Sequence, residues 1–177
     1  MALTPAGHAA ISKAALSNRA FPLPHEQEVS LGFQIVDLAR LFRRQFERAV
    51  AGSGLELTAG EARTLLHAAK AGPIRQTDLA ERMAVEPMSL SGFLDRLEAR
   101  ALVARTTDPK DRRAKLVRVT AAAAPLVARL RAIAGVVLDR ASAGLRPDET
   151  AAVRRSLDLM RANLTTAGKP AASEAAS

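Results

Sequence analysis

The stretch QTDLAERMAVEPMSLSGFLDRLEAR, residues 76–100, decides the fold because it contains two helical segments separated by a very short link. Thr77 is a good capping residue and predicts a short helix that ends near Met83. Pro87 suits the first turn of a second helix, which we expect to run to about Arg100. The apolar stripe of this second helix is formed by Leu90, Phe93, Leu94 and Leu97. Two helices joined by so tight a turn predict a helix-turn-helix, whose second helix is thin enough to enter the major groove of DNA.

A β-hairpin is predicted immediately after these two helices. Residues 102–105 (LVAR) and 116–119 (LVRV) are short runs of the apolar and β-branched residues that favour strands. The segment TTDPKDRRAK, residues 106–115, lies between them, and its Asp108-Pro109 pair favours a turn. We therefore expect a hairpin with a long, basic tip, which forms the wing of a winged helix-turn-helix.

Positive charge is concentrated on this predicted wing. The chain has a net charge of +8, and residues 105–118 carry six basic and two acidic side chains, a local balance of +4. The basic residues are Arg105, Lys110, Arg112, Arg113, Lys115 and Arg118. This bias favours contact with DNA phosphates or with the minor groove over the alternative, a hairpin that is merely solvated.

Helices are predicted on both sides of the winged segment. An apolar face predicts a first helix over about residues 29–51, and Thr58 followed by Glu61 is a capping-box pattern that opens a second helix. Two further apolar stripes, at 126–138 and 153–164, predict two helices after the wing. The predicted fold class is therefore mainly α, a winged helix-turn-helix with additional N- and C-terminal helices.

These elements divide the chain into a central winged domain and its flanks. The winged helix-turn-helix DNA-binding domain is assigned to residues 58–120. Segments 29–57 and 121–164 are expected to be dimerisation helices, because their apolar stripes at opposite ends of the chain have no other partner of their own; an intramolecular core is the alternative. Residues 1–28 are expected to form a flexible arm and residues 165–177 a disordered tail.

The composition argues against several other functions. The chain has no cysteine, which excludes disulfides, thiol catalysis and cysteine-ligated zinc. Its three histidines, His8, His25 and His67, are widely spaced, so we predict no metal site. Without a nucleophile–base set or a phosphate-binding glycine loop, we predict no enzymatic activity and no cofactor. The absence of a secretory signal and of a continuous apolar run of about 18 residues predicts a cytoplasmic protein without a membrane partner.

Residues 76–120 resemble the MarR family of bacterial regulators (multiple antibiotic resistance regulators). The matching stretches are QTDLAERMAVEPMSL, FLDRLEARALVAR and TDPKDRRAKLVRVT. The most specific part is DPKDRRA at 108–114 followed by VRVT at 117–120, and the flanking helices extend the resemblance over about residues 29–164. The resemblance implies a homodimer with two winged heads that binds a palindromic operator, usually as a repressor. It also implies release by a small ligand, often an anionic aromatic compound.

The front of the second helix of the helix-turn-helix and the resemblance together predict which residues contact DNA. On the helix-turn-helix they are Thr77, Pro87, Met88, Ser89, Ser91, Gly92 and Arg96. On the wing they are Lys110, Arg112 and Arg113. Arg113 matches the arginine that the family inserts into the minor groove, whose negative potential attracts a guanidinium. Arg96 has an alternative role, in which it buttresses the fold through Asp95 or Glu98.

Four further residues have predicted roles. Asp108 and Asp111 are expected to shape the wing, Asp111 either by pairing with an arginine or as an ordinary turn residue. In the family the ligand cleft lies between the first two helices and the winged head, where Arg63 and His67 are the candidate contacts of an anionic ligand. The alternative for His67 is a structural histidine. The chain has only five phenylalanines and no other aromatic residue, so few aromatic side chains are available to line such a cleft.

Three residues depart from the family pattern. Met88 stands where the family often has serine, and Gly92 where it often has arginine, so one arginine contact is lost. Glycine inside a helix also costs about 0.5–1 kcal/mol relative to alanine. Ala101 stands where the family usually has a glycine as the helix ends. Because alanine disfavours the left-handed conformation of that position, we expect the helix to end differently.

These observations predict a sequence-specific, DNA-binding transcriptional regulator, a ligand-responsive repressor that binds a palindromic operator as a homodimer. The alternative is a winged-helix module that coats DNA or binds proteins and has no small-molecule ligand, which the missing arginine at residue 92 leaves open. A strong preference for one DNA sequence over others separates the two.

Overall fold

The computed structural model of this chain describes residues 30–167, with side chains to Thr165. The predicted arm, residues 1–28, and most of the predicted tail lie outside the described residues. The chain divides into two compact units, Met1–Leu38 and Ala39–Ser177. Within the described residues the first unit is the start of one helix, and the second contains all the other elements.

The described elements are helices and one small sheet, so the predicted mainly α, winged helix-turn-helix fold is confirmed. The helices are α1 (Leu31–Ala51), α2 (Ala59–Ala71), α3 (Gln76–Met83), α4 (Pro87–Ala99), α5 (Ala124–Ala141) and α6 (Pro147–Ala167). The strands are β1 (Ile74–Arg75), β2 (Val103–Asp108) and β3 (Asp111–Val119). A short 3-10 helix, Ala121–Ala123, precedes α5. Helix α6 extends to Ala167, so the first residues of the predicted tail are helical.

The predicted capping box at the start of α2 is confirmed. The Glu61 N–H donates to Thr58 Oγ1 at 3.3 Å, and the Thr58 N–H donates to Glu61 Oε2 at 2.9 Å. Each side chain thus accepts from a backbone N–H that the helix cannot satisfy. The helix ends at Gly72, whose φ of 71° lies in the left-handed region.

Thr77 does not cap α3, contrary to the sequence-based prediction. The helix begins one residue earlier, at Gln76, and the residue before it, Arg75, makes no side-chain capping bond. Thr77 lies inside the first turn, where its hydroxyl donates to Asp78 Oδ1 at 3.3 Å. The physical reason is that β1 is paired with β3 as far as Arg75, so the helix starts directly from the strand.

Both helices of the helix-turn-helix end on an alanine in the left-handed conformation, Ala84 with φ 50° and Ala101 with φ 54°. After α4, the Leu102 N–H donates to Leu97 O at 2.9 Å and the Ala101 N–H to Glu98 O at 2.8 Å. This pair of bonds is the usual C-terminal pattern of a helix that ends on glycine. The expectation that α4 would end differently is therefore wrong, because the backbone bonds form despite the alanine β-carbon.

The sheet has the strand order β1-β3-β2, with both pairings antiparallel. Strand β1 was not predicted, because two residues are too few to show an alternating pattern. The wing strands are longer than predicted: Thr107 pairs with Lys115, and the ladder continues to Asp108 and Asp111. The tip is thus a tight turn at Pro109-Lys110 rather than the predicted ten-residue loop.

The core lies among α2, α3, α4 and the sheet. Its largest fully buried side chains include Leu65, Leu79, Met83, Leu90, Leu94, Leu97 and Leu130. Phe93, which was predicted to be buried with the stripe of α4, is only partly buried. The core also crosses the domain boundary predicted at residue 120, because Ala123, Val127 and Leu130 are buried in it.

One helical stretch within residues 30–167, Ala121–Ala141, is long and apolar enough to cross a membrane by length and composition alone, with a mean hydropathy of 1.7. This is a weak indication, since the core helices of soluble proteins pass the same test. Only 17% of the stretch is buried within the chain. Four charged residues, Arg129, Arg131, Asp139 and Arg140, interrupt its apolar sequence.

Candidate nucleic-acid interface

The tip of the wing carries three exposed basic side chains, Lys110, Arg112 and Arg113. Asp108 is buried beneath them and accepts two hydrogen bonds at 2.8 Å, one from Arg75 Nε and one from the Lys110 N–H. The bond from the Lys110 N–H, together with Arg75, lowers the pKa of Asp108 although burial acts to raise it. The charged carboxylate therefore holds the turn from inside while the basic side chains remain in solvent.

Asp111 shapes the turn through a hydrogen bond to the backbone. Of its two predicted roles, the structure therefore shows the turn residue and not the partner of an arginine side chain. Its Oδ1 accepts from the Arg113 N–H at 3.0 Å. Within the described side chains the guanidinium of Arg113 makes no ion pair and is exposed. Asp111 thus acts as a turn residue, which leaves this guanidinium available to an external anion.

Arg105 is bound to its own protein. Its guanidinium lies 2.7 Å from Asp95 and 2.5 Å from Glu98, and its backbone N–H donates to Glu98 at 2.9 Å. The hydrogen bonds from Arg105 lower the pKa of Glu98. The alternative role of Arg96 named Asp95 or Glu98 as its partner, but in the structure both carboxylates pair with Arg105. One of the six basic residues of the wing is thereby neutralised, and the base of the wing is tied to α4.

The front of α4 is exposed at its first turn. Pro87, Met88 and Ser89 are exposed, and Ser91 and Gly92 are partly buried. Beside this turn lies a groove of about 270 Å³, which brings predicted site residues of three elements together. It is lined by Gln76, Thr77, Pro87, Arg113, Ala114 and Lys115. The structure thus places Thr77 of α3, Pro87 of α4 and Arg113 of the wing around one concave surface.

Helix α4 is fixed against the N-terminal turn of α2. The ring of Phe93 lies directly over Gly60, so closely that a β-carbon at residue 60 would collide with it. Arg96 pairs with Glu61 of α2, and its guanidinium lies 5.6 Å from the centroid of the Phe93 ring. Arg96 therefore does buttress the fold, but through α2. About half of its side chain remains exposed.

Glu61 joins the cap of α2 to α4. Burial acts to raise the pKa of Glu61, but the hydrogen bonds from Arg96 and from Thr58 outweigh it and lower that pKa. The buried carboxylate is therefore charged and accepts from both elements, which suits a residue that holds two helices in register. The capping-box pattern predicts the bond to Thr58, three residues away, but no local pattern indicates Arg96, which lies 35 residues away.

A second cavity, with a volume of about 390 Å³, is lined by residues of α1, α2 and α5 and of the C-terminal end of α3. Both candidate ligand residues, Arg63 and His67, line it. It is also lined by Phe42, Arg43, Phe46, Leu66, Arg82, Met83, Ala84, Ala134 and Val137. Two of the five phenylalanines thus line this cavity, contrary to the expectation of little aromatic lining.

The electrostatics of this cavity favour an anion. Arg63 Nη2 donates to the Met83 carbonyl at 3.0 Å, which fixes its guanidinium at the cavity wall. Burial lowers the pKa of His67, and the positive charges of Arg63 and Arg82 lower it further. His67 is therefore neutral at pH 7 and surrounded by cations. No group of three metal-ligating side chains occurs in the part of the chain that the structure describes.

Comparison with known proteins gives one family and many solved structures. The family model described as MarR family matches residues 57–115. The transcriptional regulator PA3341 is 32% identical, over 76% of this chain and 98% of its own, with a TM-score of 0.64. A MarR-family regulator from Rhodococcus sp. RHA1 is 26% identical, over 76% and 95%, with a TM-score of 0.63. BpsR of Bordetella bronchiseptica is 25% identical, over 78% of this chain and 97% of its own, with a TM-score of 0.60. The DNA binding of BpsR is regulated by 6-hydroxynicotinic acid.

Proposed function

We propose that this chain, which belongs to the MarR family of transcriptional regulators, is a cytoplasmic repressor that binds a palindromic DNA operator as a homodimer and is released by a small anionic ligand. The observation that carries the proposal is the shared groove beside α4, which the exposed Arg113 and the first turn of α4 both border. In this arrangement α4 enters the major groove while Arg113 contacts the adjacent minor groove. Lys110 and Arg112 then contact the phosphates between them.

Exposed apolar surface supports the homodimer. In α5, α6 and the loop between them, large apolar side chains lie in solvent, which is costly unless a partner covers them. They are Val136, Leu138, Leu145, Val153, Leu157, Leu159, Met160 and Leu164. A second copy related by two-fold symmetry would cover this surface and present two copies of α4 about 34–36 Å apart, one turn of DNA.

The cavity beside His67 supports ligand control. BpsR is similar to this chain, and its DNA binding is regulated by an aromatic acid. In this chain the aromatic rings of Phe42 and Phe46 and the cations Arg63 and Arg82 line one cavity. We propose that an anionic aromatic compound binds there and shifts the protein away from the DNA-binding conformation.

The test compares Arg113→Ala with Arg129→Ala in operator binding measured by fluorescence anisotropy at several salt concentrations. Both side chains are exposed, and each substitution removes one positive charge. We expect Arg113→Ala to weaken binding about tenfold and to reduce the salt slope by about one, because a groove contact is lost. Arg129→Ala should change affinity less than twofold. Equal effects of the two substitutions would contradict the assignment of the wing.

A further inference from the structure

Met88 is the most exposed large apolar side chain among the described residues, with 85% of its surface in solvent. It does not belong to the apolar surface of α5 and α6, which a second copy would cover. Its neighbours Ser89 and Ser91 are small and polar, and Met88 is not part of the core. Neither packing nor the proposed dimer interface therefore accounts for it.

The position of Met88 places it where bases are contacted. It is the second residue of α4, and the N-terminal residues of a recognition helix face the edges of the bases. Gly92 lies one turn further along the same face and adds no side chain beside it. A β-carbon at residue 92 would meet only the Arg96 guanidinium, at 3.7 Å. The methionine side chain is therefore free to extend into the groove.

The chemistry of the side chain limits what it can recognise. A thioether has no hydrogen-bond donor and is only a weak acceptor, so it reads neither phosphates nor the polar edges of bases. The apolar group that the major groove presents is the 5-methyl group of a pyrimidine, which in unmodified DNA is thymine. Methionine is flexible and polarizable, so it adapts its shape to such a methyl group.

We propose that Met88 is a specificity-determining residue that contacts the 5-methyl group of a pyrimidine, one in each half-site of the operator. This inference rests on the proposed DNA-binding function. It explains how α4 selects a base without the arginine that the family often has at residue 92. The contact selects by a methyl group rather than by a hydrogen bond.

The experiment first selects the preferred operator from random DNA with the full chain. Each thymine of the operator is then replaced by deoxyuridine, which removes only the methyl group. We expect one thymine per half-site at which this replacement weakens binding about fourfold, the effect of one buried carbon unit. Met88→Ala should bind thymine and deoxyuridine operators equally, whereas Met88→Leu should keep the preference.

Arg113→Ala is the matched control, because it should weaken binding to both operators and leave their affinity ratio unchanged. A further pair of operators carries cytosine or 5-methylcytosine in place of the sensitive thymine. Tighter binding of the 5-methylcytosine operator than of the cytosine operator supports the methyl contact, because the two differ only in that group. Equal affinity for these two, beside a thymine operator that binds better than its deoxyuridine counterpart, restricts the contact to thymine.

The outcomes separate the two proposals. If no DNA sequence is enriched, the proposed function itself is contradicted. If an operator is selected but no thymine is sensitive to loss of its methyl group, or if Met88→Ala keeps the ratio of wild type, only the role of Met88 is overturned. If Met88 contacts a protein partner and not DNA, no thymine should be sensitive to loss of its methyl group. Thermal unfolding of Met88→Ala should match wild type, since the side chain is exposed.

Discussion

Ala84 and Ala101 show how single residues set the helix-turn-helix. Each ends a helix in the left-handed conformation, which costs an alanine about 1–2 kcal/mol relative to the right-handed one. The hydrogen bonds from Leu102 and Ala101 to the last turn of α4 offset this cost. The result is a link of three residues between α3 and α4 and another link of three residues between α4 and β2.

Replacing Ala101 with glycine should stabilise the fold by about 1 kcal/mol, because the left-handed strain disappears while the backbone bonds remain. The control is Ala99→Gly, two residues earlier in right-handed helix, which should destabilise by about 0.5–1 kcal/mol. Urea unfolding followed by circular dichroism measures both. A loss of stability in Ala101→Gly would show that the left-handed backbone is not strained here.

His67 should make ligand binding depend on pH. Its pKa lies below the ordinary value of 6.5, chiefly through burial and then through nearby cations. An anionic ligand favours the charged imidazolium and raises this pKa, so binding takes up a proton and affinity should increase as the pH falls through the pKa of His67 in the complex. The charged groups around it are Arg43, Arg63, Lys70 and Arg82, with Glu47 beside Arg63.

Calorimetric titration with benzoate, a simple anionic aromatic probe, between pH 5 and 8 measures this dependence. In the His67→Gln variant the affinity should vary little over the same range, because the arginines stay charged throughout. Identical slopes in wild type and variant would mean that His67 does not take up the proton.

At the scale of elements, the contact between α2 and α4 decides where α4 lies. Gly60→Ala should destabilise the fold by about 1–3 kcal/mol, because its β-carbon displaces the Phe93 ring. In Gly92→Ala, also in α4, the added β-carbon meets only the Arg96 guanidinium, at an ordinary contact distance of 3.7 Å, and the substitution should stabilise the fold by about 0.5–1 kcal/mol. Chemical unfolding measures this pair, and a rise in stability for both variants would contradict the close contact.

Local signals in the sequence predicted most elements of the fold. Thr58 with Glu61 and Pro87 each mark a helix start within a few residues, so α2 and α4 were found. Contacts between distant parts of the chain were not found. The partners of Arg105 and Arg96 depend on which carboxylates the fold brings near each guanidinium. The sequence contains no local pattern that indicates which arginine pairs with which carboxylate.

The candidate site also has a part that local sequence signals predict and a part that depends on contacts between distant residues. Exposed basic residues of the wing follow from the local charge pattern, and the structure leaves Arg112 and Arg113 in solvent. The cavity gathers Arg43, Arg63 and Arg82 from three helices, which no spacing in the sequence indicates.

At the scale of the whole molecule, the exposed apolar side chains of α6 predict an obligate partner. Leu157→Asp should give a monomer whose winged domain stays folded, because Leu157 is exposed in the single chain and would be buried only between copies. Arg155→Asp introduces the same side chain on the opposite face of α6 and should leave the dimer intact.

Sedimentation equilibrium gives the mass of each variant, and circular dichroism checks the fold. A dimeric Leu157→Asp would mean that α6 is not in the interface, and monomeric wild type would remove the two-fold arrangement of α4.

The most direct measurement compares the affinity of the protein for the DNA upstream of its own gene with its affinity for the same bases in shuffled order, at one salt concentration. We expect a preference of about 10³-fold or more for the natural sequence. Equal affinity for the two DNAs, or no binding to either, would contradict it.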